Sequence, residues 1–157
     1  MLNAAPSKIA SDWLAGFCRA LGENPRAAVD GFFLEDSYWR DLLAFTWNIT
    51  TMEGRVAIAD MLEATLESAS PSDWRIRGEP TADGDVVEAW FSFETAVARC
   101  EGILRLRNGR CWTMFTAIKE LKAYPEKKGV TRPLGVRHKA DPNRETWSEK
   151  KRRQQAE

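Results

Sequence analysis

The chain has 157 residues, of which 43% are hydrophobic and 29% charged, which is enough for one domain with its own core. No run of 18 apolar residues occurs, so a transmembrane helix is not expected. The N-terminus lacks the charged and apolar segments of a signal peptide, so the cytoplasm is the expected location. The formal net charge is zero, but residues 1–121 contain 12 basic and 18 acidic side chains, and residues 122–157 contain 11 and 5. The sequence therefore predicts an acidic folded part followed by a basic extension.

Apolar residues at helical spacing predict three helices, over residues 7–21, 25–33 and 56–68. An apolar stretch over residues 38–47 lies between the second and third helices and is predicted to be a strand. The rest of the folded part predicts four further strands, over residues 74–79, 86–95, 97–107 and 110–121. Helices followed by a run of strands are typical of an α+β domain with an antiparallel sheet.

The last predicted strand is apolar on both faces. Strict alternation places Trp112, Met114, Thr116 and Ile118 on one face and Phe115 on the other. A sheet that is apolar on both sides is either covered twice or curled around an interior.

The stretch over residues 38–47 contains a carboxylate in apolar surroundings. Alternation places Asp41 on one face with Trp39 and Phe45. Such a carboxylate must find a partner, lose its charge or line a cavity that holds water or a ligand. The possible partners include Arg40, Arg55 and a backbone amide.

The cysteines and the single histidine predict neither a disulfide nor a metal site. Cys18, Cys100 and Cys111 form an odd set without paired spacing, and they are interpreted as small core residues. His138 has no cysteine or aspartate at ligand spacing, so no metal is expected.

The basic extension begins near Lys122 and is predicted to be extended up to a helix that starts at Asp141-Pro142. Trp147 is the only apolar anchor of this helix. A solvated linker is the favoured interpretation. The alternatives are an anionic partner or a return onto the acidic body, and neither nucleic acid nor membrane is expected as a partner.

The order of elements and the central stretch resemble the nuclear-transport-factor-2-like (NTF2-like) superfamily, in its SnoaL-like branch. The resemblance covers about residues 7–122. It implies a cone in which three N-terminal helices pack on a strongly curved antiparallel sheet around a cavity. Residues 123–157 then form a basic extension that ends in a helix. Such cones often dimerise through the open sheet face, so a homodimer is expected.

Three segments, LEDSYWRDLLAFTWNITTMEGRVAI, GILRLRNGRCWTMFTAIKELKAYPE and RPLGVRHKADPNRETWSEKKRRQQ, are similar to the N-terminal domain and linker of bacterial flavin-containing monooxygenase-like proteins. Their flavin domain would begin with a strand and a G-x-G-x-x-G turn. No such turn occurs in this chain, so FAD and NADP are expected only through association with a flavin domain. The resemblance implies an excised or a free-standing copy of the N-terminal domain.

The resemblance also places Asp41 where ketosteroid isomerase has its general base. In the same alignment Phe17 and Gly102 stand where that enzyme has a tyrosine and a second acid, and neither side chain can donate a hydrogen bond. The leading hypothesis is therefore a non-catalytic domain that binds a small apolar ligand or holds subunits together. The alternative is a free-standing isomerase, cyclase or hydrolyase with Asp41 as the base.

The candidate ligand-binding residues share a predicted position on the cavity wall: Phe17, Trp39, Asp41, Phe45, Cys100, Leu104, Trp112, Met114 and Thr116. Trp47 and Trp90 are further candidate wall residues. For the aromatic members, plain core packing is the alternative interpretation.

Overall fold

A computed structural model of the chain describes residues 5–135 and 143–156. The chain divides into two units, Met1–Glu126 and Lys127–Glu157. The helices and strands of the first unit follow one another as α1 (Pro6–Glu23), α2 (Pro25–Phe32), β1 (Phe33–Leu42), β2 (Ile49–Glu53), α3 (Gly54–Ala69), β3 (Ser72–Asp83), β4 (Val86–Glu94), β5 (Ala98–Arg107) and β6 (Arg110–Leu121).

The boundary between the first two helices follows directly from the sequence. The Asn24 side chain accepts a hydrogen bond from the backbone N–H of Ala27 at 2.9 Å, and Pro25 occupies the first helical position. An asparagine cap followed by proline is a strong start for a helix, because both replace hydrogen bonds that the first turn cannot make internally. The predicted start of this helix at residue 25 is confirmed.

The six strands form one curved sheet in the order β2-β1-β6-β5-β4-β3. Neighbouring strands run antiparallel, except that β1 and β6 are parallel. The α+β class and the cone of three helices on a curved sheet are confirmed. The parallel pair joins the first strand to the last, which brings two segments far apart in sequence side by side.

The stretch predicted as a single strand over residues 38–47 is different in the structure. β1 ends at Leu42, and a turn over residues 43–48 leads into β2, a strand that the sequence pattern does not predict. Leu43 and Trp47 have φ angles of 69° and 54°, which interrupt the extended backbone. The prediction of one continuous strand is therefore wrong.

The core lies between the helices and one face of the sheet. Helix α1 packs on β3 and β4, and α3 packs on β1 and β2. Side chains that point to this side, which we call the inward face, include Trp39, Phe93 and Leu104. The opposite side, the outward face, carries Trp90 and Ile103, which are not fully buried. These two faces differ in chemistry, as described below.

The second unit contains a short 3-10 helix (Gly129–Thr131) and a helix α4 (Trp147–Ala156). The predicted helix start at Asp141-Pro142 and His138 lie outside the described residues, and α4 begins at Trp147. The Thr146 backbone N–H donates to Glu149 Oε2 at 2.7 Å, and the Glu149 N–H lies 3.3 Å from Thr146 Oγ1. This reciprocal cap holds the pKa of Glu149 below its usual value, because the Thr146 backbone and hydroxyl donate to the charged form.

Two predictions made from the sequence concern transmembrane helices and metal sites. None of their helices combines the length and the apolar character needed to cross a bilayer. Within the same residues, no three or more His, Cys, Asp or Glu side chains lie together as metal ligands would.

Candidate functional site

Asp41 is completely buried near the end of β1, and its carboxylate accepts hydrogen bonds from two directions. Oδ1 accepts from Thr116 Oγ1 of β6 at 2.7 Å. Oδ2 accepts from the backbone N–H groups of Phe45 and Thr46 at 3.0 and 2.9 Å. The sequence left Arg40, Arg55 and a backbone amide open as possible partners, and the backbone amides are the ones observed.

Two threonine hydroxyls complete the network. Thr116 Oγ1 accepts a hydrogen bond from Trp39 Nε1 at 2.8 Å, because an indole N–H can only donate. The Thr116 hydroxyl then donates its own hydrogen bond to Asp41 Oδ1. Thr46 Oγ1 lies 2.9 Å from Asp41 Oδ2 and 3.1 Å from the Asn48 carbonyl oxygen, and its single proton favours the charged acceptor. The carboxylate then accepts four hydrogen bonds, which replace the hydration lost on burial.

The inner members of this network are sealed from solvent, whereas Thr46 at its outer end is partly exposed. Trp39, Asp41 and Thr116 have no surface that a water molecule could touch, either from outside or from an enclosed void. The ring centroids of Phe17 and Phe45 lie 6.4 and 5.4 Å from that of Trp39. Aromatic side chains therefore fill the interior around Asp41.

Eight of the nine predicted ligand-binding residues meet on the inward face. They come from α1, β1, the β1–β2 turn, β5 and β6, and each is at most 3% exposed: Phe17, Trp39, Asp41, Phe45, Cys100, Leu104, Met114 and Thr116. The sequence pattern thus located residues of the interior, and they pack against one another there. Ligand binding by them stays a prediction.

Trp112, the ninth, lies on the outward face. The pairing of β5 with β6 shifts register between Arg105 and Leu106, and this bulge turns Trp112 away from Met114. The guanidinium carbon of Arg107 lies 4.0 Å from the centre of the Trp112 ring. The prediction that Trp112 shares a face with Met114 is wrong, because strict alternation cannot anticipate an inserted residue. Trp112 instead lines a groove of about 370 Å³ on the outward face.

Trp47 and Trp90 are also outside the interior. Trp47 is 60% exposed in the β1–β2 turn, and Trp90 is 48% exposed on β4. Their predicted position on an interior wall is wrong, since the turn redirects Trp47, and Trp90 points outward together with its cross-strand partner Ile103.

At the positions matched to the hydrogen-bond donors of ketosteroid isomerase, the chain has no donor side chain. Phe17 is buried among aromatic rings. A Cβ atom at Gly102 would overlap the Phe91 ring and the Phe115 carbonyl oxygen, so this position cannot carry a side chain without rearrangement. Within the described part of the chain, no carboxylic acid or phenol forms a hydrogen bond with Asp41.

The remaining polar groups of the interior are neutral. Burial raises the pKa of the Cys18 and Cys100 thiols to about 11, and it raises that of Cys111 well above the usual value. These free thiols pack as small apolar groups, as predicted. Ser37 Oγ is the only buried side-chain polar atom without a hydrogen-bond partner in the part of the chain that the structure describes.

The outward face carries an apolar stripe that sequence reasoning missed. Trp90 of β4 pairs with Ile103 of β5, which pairs with Phe115 of β6. These three residues, the outward stripe, point away from the core and lie side by side across three strands. Arg77 lies next to Trp90 and Arg40 next to Phe115, so a cationic residue closes each end of the row. Each member has a buried residue directly before it and directly after it in its strand. This alternation is the feature of the sequence that indicates an outward-facing position.

Ion pairs border the outward stripe. Arg105 Nε lies 2.7 Å from Glu88 Oε2 on one side, and Lys119 Nζ lies 3.1 Å from Glu101 Oε2 on the other. Such exposed pairs add little to stability. They give the stripe a polar rim, and an aromatic centre with a polar rim is the composition of a protein–protein interface.

The fold was compared with known proteins. No family model matches the sequence, and no curated protein matches it. A candidate isomerase from Bacillus subtilis aligns with a TM-score of 0.56 at 18% identity, over 73% of this chain and 88% of that one. An NTF2-like protein of unknown function from Burkholderia pseudomallei aligns with a TM-score of 0.50 at 13% identity, over 73% and 90%.

The chain has the NTF2-like fold. A SnoaL-like candidate isomerase from Agrobacterium tumefaciens also aligns, with a TM-score of 0.48 at 20% identity, over 71% of this chain and 95% of that one. The two alignments with TM-scores of 0.50 and 0.56 confirm the resemblance to NTF2-like proteins at the level of the fold. At these identities the likeness concerns the arrangement of the NTF2-like cone, and the activity is argued from this chain's own residues.

Proposed function

We propose that this NTF2-like chain is a non-catalytic module that associates with a second copy of itself through the outward stripe. The observation that carries the proposal is the location of accessible apolar surface. In the interior, where an enzyme of this shape would bind its substrate, Trp39, Asp41 and Thr116 have no surface that water could touch. The accessible aromatic surface of the sheet lies on its outward face instead.

The state of Asp41 supports the non-catalytic part of the proposal. A general base needs a lone pair within reach of a substrate proton. Four donors occupy the carboxylate of Asp41, and aromatic rings close the space beside it. Isomerase, cyclase or hydrolyase chemistry at this position would first require Phe45 and the β1–β2 turn to move away. A small apolar ligand in the interior would require the same opening.

The outward stripe supports association. Trp90 is 48% exposed, although tryptophan contributes more than most residues to binding energy when it is covered. Its neighbours Ile103 and Phe115 extend the apolar surface across the sheet. A two-fold axis through the stripe would place apolar side chains on apolar side chains and leave the ion pairs at the rim.

The link to flavin-dependent monooxygenases is a further part of this proposal and depends on the sequence resemblance alone. In that setting the chain would serve as the pairing domain of a larger enzyme, and FAD and NADP would bind to the flavin partner. We propose the cytoplasm as the location, in keeping with such enzymes.

The test of the proposal compares two equally exposed residues. Trp90→Lys places a charge at the centre of the stripe, whereas Val97→Lys changes a side chain of similar exposure (49%) in the β4–β5 turn. We expect the wild type to have the mass of at least two chains by light scattering after gel filtration. Trp90→Lys should weaken association roughly thirtyfold, the effect of losing an interface hot spot worth about 2 kcal/mol.

Val97→Lys should associate as the wild type does. Both variants should keep the wild-type circular dichroism, because neither side chain is buried. A wild type that stays monomeric, or a Trp90→Lys variant that associates like Val97→Lys, would overturn the proposal.

A further inference from the structure

The β1–β2 turn displays apolar side chains in a strained backbone. Leu43 and Trp47 both have positive φ, which bulky residues rarely adopt and which costs about 1 kcal/mol or more for each. Trp47 is 60% exposed and the following Ile49 is 61% exposed. Asp41 holds the turn in this shape through the N–H groups of Phe45 and Thr46. The buried network therefore fixes an exposed apolar tip.

The strand that follows the turn is an open edge of the sheet. β2 pairs with β1 on one side, and it is the last strand in the order of the sheet. Its sequence, Ile-Thr-Thr-Met-Glu, has β-branched residues at three of five positions, no proline and no charge before Glu53. Edge strands of this composition readily pair with another strand through their outer N–H and C=O groups. At the start of β2, the Ile49 N–H donates to the exposed Asn48 side chain at 2.8 Å.

The other edge of the sheet is different. β3 carries Arg75 and Arg77, contains Pro80, and shifts register twice against β4. Charges, proline and bulges are the usual devices that prevent strand pairing at an edge. Of the two edges of the described sheet, the β2 edge has no proline and no register shift, and its one charge is Glu53 at the end of the strand, so β2 is the side suited to strand addition.

We propose that β2 pairs antiparallel with β2 of a second copy of this chain, with Thr51 on the two-fold axis. In this register Thr51 faces Thr51 of the second copy, and Ile49 faces Glu53. No carboxylate then faces a carboxylate, although β2 of each copy contributes one. Pairing about a two-fold axis requires such a self-complementary patch.

The ends of β2 support a second copy as the occupant. The apolar tip with Trp47 precedes the strand, and Val56, which is 68% exposed, follows it in the first turn of α3. A two-fold axis at Thr51 brings the start of one strand against the end of the other. Trp47 then covers Val56 of the second copy, and the same contact is made twice. The five residues of β2 alone offer few hydrogen bonds, so these apolar contacts supply the rest of the association.

This edge contact is separate from the contact through the outward stripe. The two surfaces involve different strands, β2 in one case and β4, β5 and β6 in the other. A chain with two such self-complementary surfaces assembles beyond a dimer, into a closed tetramer or an open array. Each contact can fail without the other, and the experiment below is designed to separate them.

The test uses cysteine cross-linking at Thr51 in the Trp90→Lys background, in which the outward stripe is blocked. Antiparallel partners have Cα atoms about 4.5–5.5 Å apart, within the range that a disulfide spans. Thr51→Cys should therefore form a covalent dimer under mild oxidation. Thr81→Cys is the matched control, because it is also an exposed threonine but lies on the β3 edge. The native cysteines Cys100 and Cys111 are buried, and Cys18, which is only partly buried, is replaced by serine in every variant.

At micromolar protein, the Thr51→Cys variant should cross-link roughly a hundredfold faster than Thr81→Cys, since neighbouring thiols have a millimolar effective concentration. Adding Trp47→Ser should slow this cross-linking. Equal rates for the two cysteine variants would overturn the proposal. So would faster cross-linking of Glu53→Cys than of Thr51→Cys, because that register would place two carboxylates opposite each other in the native protein.

Discussion

The inward and outward faces of the sheet use polar and apolar side chains in opposite ways. On the inward face, Asp41 is completely buried among aromatic rings, whereas on the outward face Trp90 is half exposed. A buried carboxylate is tolerated only when donors replace its water, and here they do. An exposed tryptophan needs no such compensation but marks a surface that another protein can cover. The buried carboxylate therefore stabilises the β1–β2 turn, and the apolar surface of the outward face is available for binding.

The largest expected effect comes from removing the buried carboxylate. Asp41→Ala leaves the N–H groups of Phe45 and Thr46 and the hydroxyl of Thr116 without their acceptor, so we expect the free energy of unfolding to fall by about 3 kcal/mol or more. Urea unfolding followed by circular dichroism measures it. Asp36→Ala, on the exposed side of the same strand, should change stability by less than about 0.5 kcal/mol. An Asp41→Ala variant as stable as the wild type would contradict the structural role of the network.

An intermediate effect is expected at Gly102, the most crowded glycine of the described sheet. Gly102→Ala introduces a methyl group into the space of the Phe91 ring and the Phe115 carbonyl oxygen, so it should lower the free energy of unfolding by about 1–3 kcal/mol. Gly22→Ala is the control, because nothing lies within 4 Å of a Cβ atom there. This control should be neutral or slightly stabilising, as alanine favours a helix. If Gly102→Ala is tolerated equally well, the tight packing of the inward face is not as described.

The smallest effect concerns a single hydroxyl and should have the opposite sign. Ser37 Oγ is buried without a partner, so Ser37→Ala removes a desolvated polar group and should raise the free energy of unfolding by about 1 kcal/mol. Ser92→Ala, on the outward side of β4, should leave it nearly unchanged. Thermal unfolding of the two variants side by side gives the comparison. A loss of stability in Ser37→Ala would mean that the hydroxyl has a partner, such as a bound water.

Local patterns in the sequence were sufficient to predict the helices and to identify the residues that fill the interior. Asn24 and Pro25 fix the start of α2, and alternation correctly buries Trp39 and Asp41 on one face. The partners of Asp41 could not be chosen from the pattern, because they depend on where the chain turns. That turn contains no glycine or proline, and Leu43 and Trp47 adopt positive φ only because the Asp41 network holds them there.

Long-range pairing is the other part that local patterns leave open. The parallel contact between β1 and β6 joins residues about 75 positions apart, such as Asp41 and Thr116. The bulge that moves Trp112 to the outward face arises from the register between β5 and β6, so no property of residues 110–121 alone reveals it. The outward stripe was missed for the same reason, since it exists only once three strands are aligned.

The backbone of the β1–β2 turn has a consequence for anyone who engineers this protein. Glycine at position 43 would adopt the observed φ of 69° freely and would relieve roughly 1 kcal/mol of backbone strain. It would also remove an apolar side chain from the surface, which improves solubility. Leu43 is 38% exposed, so the relief of backbone strain is set against the loss of the contacts that the covered part of its side chain makes.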